Sequence, residues 1–86
     1  MYIGDRYIPG ADKVVALTQS DRLRECVRRS ASDGSPIRLL STTFVPNEEW
    51  AFDLFVAESA DQVRDVYAAC GVEVERVTPA VHIPEC

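Results

Sequence analysis

Between Trp50 and Val56 almost every position is apolar, whichever side of an extended chain it falls on. Side chains alternate across a strand, so Trp50, Phe52, Leu54 and Val56 share one face while Ala51, Asp53 and Phe55 share the other. A strand wet on one side would alternate polar with apolar, so this pattern predicts a strand covered on both faces. A second strand is expected over Ile37–Val45, joined to the first by the acidic turn Pro46-Asn47-Glu48-Glu49. The run Tyr2–Ile8 reads as a further strand, stopped by the breaker pair Pro9-Gly10.

Helical periodicity occupies two other stretches. After Asp12, a candidate N-cap, Ala16, Ser20, Leu23, Val27 and Ala31 recur down one side, and Ser32-Asp33-Gly34-Ser35-Pro36 ends the pattern by turn chemistry. The opposite side interleaves Arg22, Arg24, Arg28 and Arg29 with Asp21 and Glu25, the composition of a solvated, ion-paired face. Ser59-Ala60-Asp61-Gln62 has capping-box spacing, Val63, Val66, Tyr67 and Cys70 follow at i, i+3, i+4 and i+7, and Gly71 supplies the stop. A last strand is expected over Val74–Ile83, with Pro79 placing it at a sheet edge or a bulge.

The resulting order, β-α-β-β-α-β, with right-handed crossovers gives an α+β, ferredoxin-like sandwich: an antiparallel sheet in the order 4-1-3-2 with both helices on one face. The 86 residues make a single domain, 1–86, whose core is small. Its helix-free sheet face would be bare in a monomer. A strand apolar on both sides therefore predicts a homodimer in which two sheets meet, a dimeric α+β barrel.

Composition narrows the functional classes. A hydrophobic fraction of 47% with 27% charged residues describes a globular chain. Nine basic against fourteen acidic residues give a net charge of −5, which disfavours nucleic acid as a partner. The apolar runs are too short to span a bilayer and no leader pattern opens the chain, so no membrane partner and a cytoplasmic location are expected. Cys26, Cys70 and Cys86 are odd in number, widely spaced and without a C-x-x-C, which argues against a disulfide framework and for Cys26 and Cys70 as small packed hydrophobes.

Several motifs are similar to a known family. The segments are DRYIPG, with Asp5-Arg6 before Pro9-Gly10, the run from Ser41 to Glu49, the aromatic strand from Phe52 to Ser59, and Arg76-Val77. In these the chain resembles the small domains of the DUF4242 family, which include a nickel-binding, nickel-responsive protein. Trp50 and Asp53 depart from that family's pattern, which tends to carry cysteines or small residues there, and Asp5 replaces the usual Glu. The resemblance implies a ferredoxin-like fold and binding of nickel or another transition metal as cofactor.

The residues themselves offer three chemistries. His82, the single histidine, stands with Glu85 and Cys86 in the C-terminal tail, and imidazole plus thiolate suits nickel, copper or zinc if a second chain completes the ligand set. Asp5 and Asp53 lie mid-strand on strands expected to be neighbours. Facing one another, they would share a proton as a general acid–base dyad; paired with Arg6, Arg38 or Arg76, they would be structural. Tyr7, Ser41, Trp50 and Phe55, with Tyr2 and Phe52 nearby, are the candidate lining of an apolar pocket. A homodimeric metal-binding protein is the leading expectation. The alternatives are a cofactor-independent enzyme, such as a cyclase, isomerase or monooxygenase acting on a small hydrophobic molecule, and a subunit that only associates with another protein.

Overall fold

Turn signals at Pro9-Gly10, Pro46 and Gly71 separate several of the observed elements. The computed structural model describes residues 1–10, 12–32, 34, 36–81 and 83. In chain order these are β1 (Tyr2–Tyr7), α1 (Lys13–Ser32), β2 (Arg38–Val45), a 3-10 turn (Pro46–Glu48), β3 (Trp50–Val56), α2 (Ala60–Cys70) and β4 (Arg76–Pro79).

Asp12 caps α1 as expected, its Oδ1 accepting from the Val15 N–H at 2.9 Å. Ser59 caps α2 by accepting from the Gln62 N–H at 3.1 Å. The return bond of the capping box goes one residue further back than expected, with Gln62 Oε1 accepting from the Glu58 N–H at 2.7 Å. Gly71 closes α2 at φ 68°, a left-handed conformation that favours glycine. The final strand is shorter than its apolar pattern. It spans Arg76–Pro79, and Pro79, with no N–H to give to a ladder, is its last residue.

All strand pairs are antiparallel, in the order β2-β3-β1-β4, which read from the β4 edge is β4-β1-β3-β2. β1 runs beside β3 with Gly4 opposite Asp53 and Asp5 opposite Phe52, and beside β4 with Asp5 opposite Arg76. A bulge at Leu40 shifts the β2–β3 register between Leu39 and Ser41. Alternation then sends Gly4, Arg6, Ala51, Asp53, Phe55 and Val77 toward the helices. Ile3, Asp5, Tyr7, Trp50, Phe52, Leu54, Val56 and Arg76 point the other way.

The core lies wholly between sheet and helices. Leu23 and Val27 of α1 and Val63, Val66, Tyr67 and Cys70 of α2 pack on Ile37, Phe55 and Val77. The molecule is accordingly a slab of 36 × 35 × 19 Å, thick enough for one sheet and one helical layer. Ala51 and Phe55 are fully buried, yet Phe52 and Val56 on the other side of the same strand remain 37% and 38% exposed. No helix among the described residues is long and apolar enough to cross a membrane.

Candidate functional site

Two polar constellations are built on β1 and β3, one on each side of the sheet. On the helix side, Arg6 lies across the strand pair and grips Asp53 in a fork: Nε to Oδ2 at 2.6 Å and Nη2 to Oδ1 at 3.0 Å. Thr42 of β2 donates its hydroxyl to Oδ1 at 2.7 Å, and Tyr67 of α2 donates to Oδ2 at 2.5 Å. Arg6 Nη1 donates to Gln19 Oε1 of α1 at 3.0 Å, so four elements besides β1 converge on one ion pair. Arg6 is 1% and Asp53 0% exposed. Among the described residues no buried side-chain nitrogen or oxygen is left without a partner. Burial pushes the Tyr67 phenol well above its usual range, and the adjacent Asp53 carboxylate pushes it further, in keeping with its role as the hydrogen-bond donor to that carboxylate.

The other constellation faces away from the helices. Asp5 Oδ2 accepts from Arg76 Nε at 3.2 Å and Nη2 at 2.8 Å. Arg76 stays largely in solvent while Asp5 is nearly covered. Trp50 and Phe52 join this pair around a shallow pocket of about 250 Å3. Tyr7 packs on Trp50 with ring centroids 5.5 Å apart and planes tilted by 47°.

The residues singled out from the sequence are therefore divided. Asp5 and Asp53 do not form a dyad. Gly4, not Asp5, stands opposite Asp53, which puts the two carboxylates on opposite faces, each held by its own arginine. Tyr7, Trp50 and Ser41 lie on the helix-free side, but Phe55 points the other way and is buried edge-on against Tyr67 at 5.5 Å between centroids. The four do not line one pocket. His82, Glu85 and Cys86, the expected metal ligands, lie outside the described residues. Among the described residues no group of three or more His, Cys, Asp or Glu side chains is arranged to hold a metal ion.

Sequence reasoning missed three features. Tyr67 reads as one more apolar position of α2, yet its hydroxyl is the one that reaches Asp53. The signal was Gly4: a Cβ there would run into the Tyr67 ring and hydroxyl, and an isolated glycine inside a strand marks such a close approach. Thr42 and Gln19 carried no signal of their own. The cysteine reading is corrected outright, because Cys26 of α1 and Cys70 of α2 are joined by a disulfide with Cα atoms 5.9 Å apart.

A cleft of about 410 Å3 opens beside the Arg6–Gln19 contact, between α1, the end of β1 with the turn after it, and the segment after α2. Gln19 and Arg22 of α1 line it together with residues 6–9 and with Gly71, Val72 and Glu73. Comparison with protein-family models, curated proteins and solved structures finds no match for this chain.

Proposed function

We propose that the protein is a small homodimeric binding protein in which the helix-free sheet faces of two subunits meet as a dimeric α+β barrel and hold a small hydrophobic molecule between them. One observation carries this reading: Ile3, Tyr7, Trp50, Phe52, Leu54 and Val56 gather on a sheet face that no other element among the described residues covers. Charge supports a second copy as the cover. Each subunit is at −5, but at the centre of this face Asp5 is paired with Arg76, so that pair brings no net charge to the contact. Binding is favoured over proton transfer because Asp5 is committed to Arg76 and Asp53 lies on the other face.

Sedimentation and titration with 1-anilinonaphthalene-8-sulfonate, read through the single Trp50, test the reading together. The expected result is a dimer at micromolar concentration and saturable quenching of Trp50, both lost in Phe52→Glu without loss of helical circular dichroism. A monomer whose Trp50 emission ignores the probe would overturn it.

The metal-binding reading rests on the resemblance to the DUF4242 family and on the chemistry of His82, Glu85 and Cys86. If the tail supplies the ligands, the double substitution His82→Ala/Cys86→Ala abolishes saturable nickel binding in titration calorimetry while the melting curve stays put. Unchanged binding in the double variant removes the tail from the site.

A further inference from the structure

The bond between Cys26 and Cys70 joins α1 to the last residue of α2, linking a core residue to one at the margin of the core. Leu23, Val27, Val63, Val66 and Tyr67 already pack α1 and α2 onto the sheet, with Cys26 at the margin of that cluster. These contacts dock the helix pair independently of the sulfurs. What the bond does hold is the end of α2. Cys70 is its last residue, and the next three, Gly71, Val72 and Glu73, line the 410 Å3 cleft. The lining also includes Arg22, one helical turn before Cys26 and on the same side of α1.

We propose that Cys26 and Cys70 are a reversible thiol–disulfide site that exchanges with low-molecular-weight thiols and clamps these two parts of the cleft lining together when oxidised. The two sulfurs differ in access. Cys26 is partly exposed, whereas Cys70 is 7% exposed with its Sγ against the Arg22 carbonyl at 3.9 Å. An incoming thiolate of the glutathione class attacks Cys26 Sγ, forming a mixed disulfide there and releasing Cys70 as a thiolate, which takes up a proton. A second thiolate attacks the outer sulfur of the mixed disulfide and frees Cys26. The balance is one protein disulfide and two small thiols giving two protein thiols and one small disulfide. Oxidised small disulfide drives the reverse sequence.

The test uses the full chain carrying Cys86→Ser, equilibrated in glutathione buffers of graded ratio from both the oxidised and the reduced side. Samples are acid-quenched, labelled with N-ethylmaleimide and weighed intact. The expected outcome is a single reversible transition between no label and two labels. Amide exchange at Gly71–Val74 should be about tenfold faster in the reduced form, while Leu23 and Val63 keep their protection. Cys26→Ser/Cys70→Ser should show the fast exchange in every buffer. Two labels at all ratios would mean that the bond does not form in solution and would overturn the site. Equal exchange at Gly71–Val74 in both states would overturn the clamp, and loss of protection at Leu23 on reduction would show a structural staple instead.

Discussion

Asp53 and Asp5 carry the same chemical group on adjacent strands and are held by the same kind of partner, but their settings differ. Asp53 accepts four hydrogen bonds and is fully buried, so removing its charge strands the buried guanidinium of Arg6. Breaking one member of such a pair costs about 3–5 kcal/mol. Asp5 shares its charge with an Arg76 that water screens, and exposed pairs are worth about 1 kcal/mol or less. Asp53→Asn should therefore lower the unfolding free energy by several times as much as Asp5→Asn, measured by urea denaturation at pH 7. Equal small losses would mean that the Arg6–Asp53 pair contributes no more than a solvent-screened one. Tyr67 adds a pH dependence with a definite sign. Its phenol titrates above its unfolded value, so above about pH 10 the unfolded chain releases a proton that the folded chain keeps. Stability from this group is complete below pH 10 and falls by about 1.4 kcal/mol per unit above it. Comparing wild type with Tyr67→Phe at pH 8 and pH 11 isolates that slope, which the variant should lack.

Elements were legible where their signals are local, and the contacts between them were not. Asp12, Ser59 and Gly71 mark helix ends by hydrogen bonds made within a few residues, and they sit where the sequence places them. The facing of Asp5 and Asp53 depends instead on register between β1 and β3. A one-residue difference moves a side chain to the other face of the sheet, and nothing within either strand states that register. Tyr7 and Trp50 meet for the same reason that Phe55 leaves them, since β3 alternates. The Cys26–Cys70 bond needed the rotation of two helices relative to each other, which spacing along one helix does not report. Gly4 is where β1 and α2 come closest. Gly4→Ala should force Tyr67 off Asp53 and separate the two elements locally, at a cost of about 1–3 kcal/mol for overpacking, with the lost hydrogen bond in addition. A melting temperature within a degree of wild type would mean that the ring moves aside freely.

At the scale of the molecule, a slab 19 Å thick with its core on one side has a sheet face that no other element among the described residues covers. Burying an apolar side chain such as Phe52 or Val56 is worth about 1.5–3 kcal/mol where it is fully removed from water. The charge distribution adds a second, separable consequence for a dimer formed through this face. The interface carries the Asp5–Arg76 pair, while the net charge of −5 per subunit is left around it, so the long-range force between subunits is repulsive and the contact force is not. Salt shortens the Debye length from about 30 Å at 0.01 M to about 10 Å at 0.1 M and so removes the repulsion without weakening apolar burial. The dimer is therefore expected to tighten as sodium chloride rises over that range, measured by sedimentation equilibrium. Phe52→Glu should remain monomeric at both salt concentrations because it places a carboxylate in the middle of the apolar surface. A dimer that loosens with salt would instead be held by charge pairs at the rim, and the sheet face would then not be its interface.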